Sequence, residues 1–181
     1  YYISDGAGNP TDQYLVIATT RPETIMADAA ICVNPADERY HWLRGKKVLI
    51  PLINREIPVI EDSYVEMDFG TGCLKVTPAH DAHDYEIGLR HNLPVLEIID
   101  DHGRLNDKAQ ILVGEDRFVA RKKIVKMLEE AGNLVKIEEY TSPVGYSERT
   151  DAVIEPKLSA QWFLKMESLA AKALDSVESG R

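Results

Sequence analysis

The chain has 181 residues, 44% hydrophobic and 28% charged, with 21 Lys and Arg against 30 Asp and Glu for a formal charge of −9. That length supports one domain with a proper core plus an appendage. The acidity argues against strong independent nucleic-acid binding, and no uncharged apolar run approaches the roughly 18 residues of a membrane span.

Tyr1–Ile3 and Gln13–Thr19 flank turn chemistry (Ser4 to Thr11) and read as a hairpin. The apolar run 14–18 reads as a strand buried on both faces. In Thr19-Thr20-Arg21-Pro22-Glu23-Thr24, Pro22 forces Arg21 out of the helical region, so Arg21 caps a short helix that reaches about Asp28. A strand over 30–33, a helix over 36–43 and a second hairpin (47–52 with 55–60) follow. Further strands are expected at 65–69, 73–76, 93–99 and 134–140, with helices at 82–91 and 116–131. Many short strands with a few helices between them predict a mixed α and β fold, a β-barrel decorated by helices. From Thr141 to Lys157 the sequence is polar and irregular, and a helix is expected over 161–177. The domain boundary therefore falls at 142/143, with 143–181 a linker and helical tail. Cys32 and Cys73 lack CxxC spacing and read as reduced, buried cytosolic thiols. No signal-peptide pattern is present, and a start on Tyr1-Tyr2 suggests an excised piece of something longer.

The densest chemistry lies in residues 69–85, Phe-Gly-Thr-Gly-Cys-Leu-Lys-Val-Thr-Pro-Ala-His-Asp-Ala-His-Asp-Tyr. A glycine-rich turn leads into a strand that Pro78 stops, because proline has no N–H to give a ladder. A lysine, a threonine, two aspartates and two histidines then crowd one strand-to-helix junction, as a small polar substrate would require. His80 and His83 with Asp84 invite a metal reading, but His80 precedes the helix start and no third well-spaced ligand is evident.

Thr19 to Thr24, Val33-Asn34-Pro35 with Asp37-Glu38-Arg39-Tyr40, and Phe69 through Tyr85 together resemble the editing domains of valyl-tRNA synthetases. The resemblance runs from about Gln13 to Tyr140, and Ser159 to Met166 looks like the return to a catalytic core. It implies hydrolysis of threonine mistakenly esterified to tRNA(Val), and also of threonyl-adenylate. Its partners are then the 3′ end of that tRNA and the rest of the synthetase, in a cytoplasmic monomer with no cofactor. Paired cysteines of a zinc knuckle, which some relatives carry near Tyr146 to Arg149, are missing, so no structural zinc is expected. The aminoacylation signatures are missing too.

On this reading Asp84 anchors the substrate α-ammonium, since a fixed carboxylate is its natural partner. Asp81 caps the helix or holds the substrate hydroxyl. Lys75 and Thr77, two apart on a strand, face the same way, and Lys75 is placed to stabilise an oxyanion or bind the terminal ribose or phosphate. Thr19, Thr20 and Thr24 offer hydroxyls near the ester, and Arg21 the substrate hydroxyl or the adenosine end. Phe69, ahead of the turn Gly70-Thr71-Gly72, offers a stacking face for adenine, and His80 closes the substrate-binding set. Arg117, Arg121, Lys122, Lys123 and Lys126, with Arg44, Lys46 and Lys47, offer charges for the tRNA backbone, against the commoner reading of a solvated face. A metal-dependent hydrolase using His80, His83 and Asp84 is the enzymatic alternative. A tRNA-end binding module without its own turnover is the other.

Overall fold

The computed structural model describes residues 1–180. Six strands form one sheet: β1 (Tyr2–Ser4), β2 (Pro10–Tyr14), β3 (Ala30–Val33), β4 (Lys47–Leu49), β5 (Glu56–Glu61) and β6 (Cys73–Val76), in the spatial order β2-β1-β4-β5-β3-β6. β3 runs parallel to β5, with Ile31 beside Val59, and antiparallel to β6, with Ile31 beside Lys75. Side chains alternate across a strand. Ile31 and Val33 therefore enter one core with Ile3, Leu43, Val48 and Ile57, while Ala30 and Cys32 enter another with Val65, Val76 and Ile87. That double burial is why β3 is apolar throughout.

The described residues also form three α-helices: α1 (Ala82–Arg90), α2 (Arg117–Glu130) and α3 (Glu167–Glu178). A third core joins Ala120 and Ile124 of α2 to Ile98, Ile99 and Leu105 and to Ile25, Met26 and Ala27 of a 3-10 helix, Pro22–Ala27. That 3-10 helix is the short helix expected after Arg21, and its residues are all buried.

The mixed α and β character stands, but the sheet is open rather than closed into a barrel. Its terminal strands, β2 and β6, do not pair with each other, and strands this short lack the length and stagger that closure demands. Four expected strand segments also differ. Leu15 still exchanges backbone hydrogen bonds with Tyr1, but residues 16–18 leave the ladder, and Val16 faces solvent. Residues 65–69 form successive turns, with Val65 N–H bonded to Asp62 O and Phe69 N–H to Glu66 O. In 93–99 the only ladder contact is an isolated bridge, Ile99 with Leu105. Among the described residues no strand lies beside 134–140, and Val135, Ile137 and Tyr140 are exposed. β-propensity marks these segments, yet a strand exists only where a neighbour accepts its hydrogen bonds. The tail helix begins at Glu167, leaving Trp162 and Phe163 outside it and exposed.

Candidate active site

The junction between β6 and α1 is built by two local devices. Asp81 takes an extended conformation and its Oδ1 accepts from His83 N (2.8 Å) and Asp84 N (3.1 Å), satisfying two of the free N–H groups that open a helix. Gly88 lets α1 lie against the end of β6: a Cβ there would stand 2.9 Å from Pro78 Cγ. The helix so placed directs Asp84 back at the strand end, where its Oδ2 accepts from the backbone N–H of Thr77 at 2.8 Å. Burial pushes the Asp84 carboxyl up to about 6, against the opposing pull of the Thr77 N–H and the Lys75 charge.

Behind Asp84 lies a closed set of buried polar groups. Lys75 Nζ donates to Asp28 Oδ1 (2.9 Å), to Thr24 Oγ1 (3.0 Å) and to Thr77 Oγ1. Thr77 Oγ1 donates in turn to Asp28 Oδ1 (2.7 Å), and Thr24 Oγ1 to the Arg21 carbonyl (3.0 Å). The other Asp28 oxygen receives the Tyr1 phenol, whose own ionisation burial and the Asp28 charge push well up, so it remains a donor. Arg55 Nη2 fixes the backbone here, reaching the carbonyls of Met26 (2.8 Å) and Asp28 (3.0 Å). Asp28 is fully buried and was not among the residues singled out from sequence. A signal existed: an acid directly after a short helix sits where the helix dipole disfavours it.

The bookkeeping of donors decides what this site can accept. An ammonium has three donors, and all three on Lys75 are taken by protein oxygens. The Lys75 side chain thus serves as a fixed positive charge, not as a free donor to an oxyanion or phosphate. The Thr24 and Thr77 hydroxyl protons are also committed. Lone pairs remain open: Asp84 Oδ1 and Asp81 Oδ2 accept nothing from the described residues. A ligand that donates several protons is what this junction fits.

Arg21 approaches from the other side, its Nη1 donating to the His80 carbonyl at 2.9 Å. Thr24 is buried in the polar set, whereas Thr19 and Thr20 are exposed, with Thr19 Oγ1 accepting from Arg21 N at 3.0 Å. The wall of threonine hydroxyls thus reduces, within the buried set, to Thr24 and Thr77. The turn Gly70-Thr71-Gly72 abuts the same segment, since a Cβ on Gly70 would stand 3.6 Å from Ala18 Cβ. Tyr40 Oη holds that turn through the Thr71 carbonyl (2.5 Å). At Gly72 φ is +75°, and a Cβ would lie 3.0 Å from the Met67 carbonyl oxygen, so any other residue would be strained there. Phe69 stands 68% exposed and so is not a core ring.

His80 and His83 do not converge on a common point. His80 is buried and its Nε2 accepts from Ile98 N at 3.2 Å, while His83 is solvated and stacks on Tyr64 with ring centroids 5.8 Å apart. Among the described residues no group of three or more His, Cys, Asp or Glu is arranged to hold a metal ion. The two thiols are unpaired and buried; burial pushes Cys32 up to about 12 and raises Cys73 as well, which leaves neither a ready nucleophile. Much of the basic set proposed for tRNA is already partnered. Arg121 is bidentate on Glu23 (2.8 and 2.7 Å), and Lys123 pairs with Glu115, Arg44 with Glu61 and Lys47 with Glu56.

With this geometry in view, comparison with known proteins is direct. The family model described as "Leucyl-tRNA synthetase, editing domain" matches residues 36–140. The chain belongs to the aminoacyl-tRNA synthetase editing-domain family, on its valyl branch. It is 58% identical to valine–tRNA ligase of Porphyromonas gingivalis over 98% of this chain and 20% of that protein. Against the valine–tRNA ligase of Thermotoga maritima the figure is 56%, over 94% of this chain and 20% of the relative. The chain therefore spans about a fifth of the length of these curated relatives. Among solved structures, the ternary complex of Agrobacterium radiobacter K84 agnB2 LeuRS with tRNA and LeuAMS superposes with a TM-score of 0.55. That match has 21% identity, covers 72% of this chain and 18% of the other, and supports the fold.

Proposed function

We propose that the chain hydrolyses threonine esterified to the 3′ end of tRNA(Val), the post-transfer editing reaction of a valyl-tRNA synthetase, with threonyl-adenylate as a further substrate. Valine and threonine are nearly isosteric, and an apolar pocket cannot strongly reject an added hydroxyl; valyl-tRNA synthetase is itself the standard illustration, at about a hundredfold. A second site must therefore read the hydroxyl. The observation that carries this reading is the buried array of Lys75, Thr77, Asp28 and Asp84, in which protein donors are spent and carboxylate lone pairs are open.

Asp84 takes the α-ammonium through Oδ1, and Asp81 Oδ2 and the second lone pair of Thr77 Oγ1 face the side-chain hydroxyl. Valine in the same place leaves the buried Thr77 acceptor unpaired, at a cost on the order of 1–3 kcal/mol, while the exposed Asp81 returns to water. Arg21 and Phe69 hold the adenosine end. Lys75 contributes its fixed charge to the field at the ester carbonyl. With both thiols buried and protonated, a water oxygen attacks the ester carbon directly. The bond from that carbon to the ribose oxygen breaks, one water proton passes to the ribose oxygen, and threonine leaves from a tRNA with free 3′ and 2′ hydroxyls. The vicinal ribose hydroxyl helps to position the water.

The test is release of threonine from threonyl-tRNA(Val), and of valine from valyl-tRNA(Val), by the parent chain and by Asp84→Ala. The expected result is threonine release by the parent, lost in the variant, with valyl-tRNA spared. Equal release by both chains overturns the assignment of Asp84. Tight binding of the tRNA end without turnover by the parent would favour a binding module instead.

A further inference from the structure

Residues beyond the sequence-defined boundary at 142/143 return to the site. A small hairpin bridges Tyr146 to Val153, closed by Ser147 N to Ala152 O (2.9 Å) and Ile154 N to Gly145 O (2.9 Å). The strand leaving it is fastened at successive points. Arg117 Nη2 donates to the Val153 carbonyl at 2.6 Å, and Lys157 lies 3.0 Å from Glu97 and pairs also with Asp101. Between these fastenings Glu155 turns inward. Its Oε1 accepts from Arg21 Nη2 at 2.6 Å and lies 3.5 Å from His80 Nδ1, and its Oε2 stands 3.4 Å from Arg117 Nη1.

These contacts bear on two side chains of the site. His80 Nε2 is an acceptor, so its ring proton sits on Nδ1, a buried atom with no hydrogen bond of its own and with Glu155 in front of it. The Arg21 guanidinium is held at three points: Nη1 on the His80 carbonyl, Nε on Glu23 (3.3 Å) and Nη2 on Glu155. Glu23 is itself gripped by Arg121, so it cannot turn Arg21 alone. A carboxylate shared by two guanidiniums and facing an imidazole N–H fixes direction as well as charge.

We propose that Glu155 is a positioning residue for the hydrolytic reaction, orienting Arg21 and His80 from a separate stretch of chain, so that both are held in place only when residues 153–157 are seated. This rests on the reading above, in which Arg21 holds the substrate. It makes the return segment a working part of the site, so that any force on that segment is felt at the guanidinium.

The experiment compares the full 181-residue chain with Glu155→Gln, Glu155→Asp, Arg21→Ala and the Arg21→Ala/Glu155→Gln pair, reading kcat and KM for threonyl-tRNA(Val) and the thermal midpoint. Glu155→Gln keeps the shape and removes the charge. It should raise KM about tenfold with kcat within a factor of about three, and cost clearly less in the Arg21→Ala background, where only the His80 contact is left to lose. Glu155→Asp should recover part of the loss, and it replaces the glutamine variant as the reading if that variant fails to fold. If the parent is active and Glu155→Gln lies within twofold of it, or costs as much without Arg21 as with it, the inference is overturned and the proposed function stands. A parent chain that releases no threonine overturns the proposed function, and this inference with it.

Discussion

Lys75 Nζ and Asp28 Oδ1 lie 2.9 Å apart with both side chains buried, one on the last strand of the sheet and the other just past a 3-10 helix 47 residues earlier. Removing one member of such a pair leaves an uncompensated buried charge, which typically costs about 3–5 kcal/mol. Asp28→Ala and Lys75→Met should each lower stability by about that amount, and the double variant should recover much of it. Chemical denaturation of the three proteins measures the coupling. Threonyl-tRNA hydrolysis should be lost in all three, since regained stability does not restore the fixed charge.

The raised Asp84 carboxyl gives two pH signatures of opposite sign. Its value of about 6 lies above the ordinary carboxylate range because burial disfavours the charged form, so between roughly pH 4 and 6 the folded state binds more protons than the unfolded one. Stability therefore falls as pH rises through that window, by an amount on the order of 2–3 kcal/mol once the group is fully ionised. Asp84→Asn should flatten this dependence and be the more stable protein at pH 7. Hydrolysis runs the other way, because only the carboxylate binds an ammonium: kcat/KM should rise through an apparent pKa near 6 and decline only where the substrate amine, near 8, loses its proton.

Asp81 separates capping from chemistry. Its Oδ1 is engaged with the N–H groups of His83 and Asp84, so Asp81→Ala should cost about 1 kcal/mol and lower Tm by roughly 2–4 °C. Asp81→Asn retains an acceptor for those N–H groups and should restore the stability. It removes the negative charge from Oδ2, so threonine release should remain below that of the parent. Paired melting curves and deacylation rates distinguish the two roles.

Gly88→Ala tests the fit of α1 on the strand end. Helix propensity alone favours alanine by about 1 kcal/mol. The new Cβ would meet Pro78 Cγ at 2.9 Å, however, and proline is ring-locked and buried, so overpacking should dominate with a net loss of about 1–3 kcal/mol. A stabilised variant would show that the contact relaxes.

How much of this was legible before the structure depends on where the information lies. β3, β6, α1 and α2 announce themselves because their apolar periodicity, proline stop and caps are local. The Asp81 cap and the pairing of Lys75 with Thr77 on one face follow from spacing alone. Residues 134–140 carry the composition of a strand but no neighbour, and strand pairing is not written in the segment itself. Asp28, Glu23 and Glu155 look like ordinary solvated acids in sequence; what makes them matter is a cation contributed from 47, 98 or 134 residues away. Those partners are set by tertiary closure, and only the misplaced acid at the helix end hinted at any of them.

On the proposed reading, a site whose open positions beside Asp84 are carboxylate lone pairs also sorts esters by their amino terminus. Acylation of the amine replaces three donors with one and discharges it, so a formylated or acetylated threonyl ester meets Asp84 as an unrelieved negative charge. Growing-chain and initiator esters on tRNA would thus be protected by the same lone pairs that condemn the free aminoacyl form.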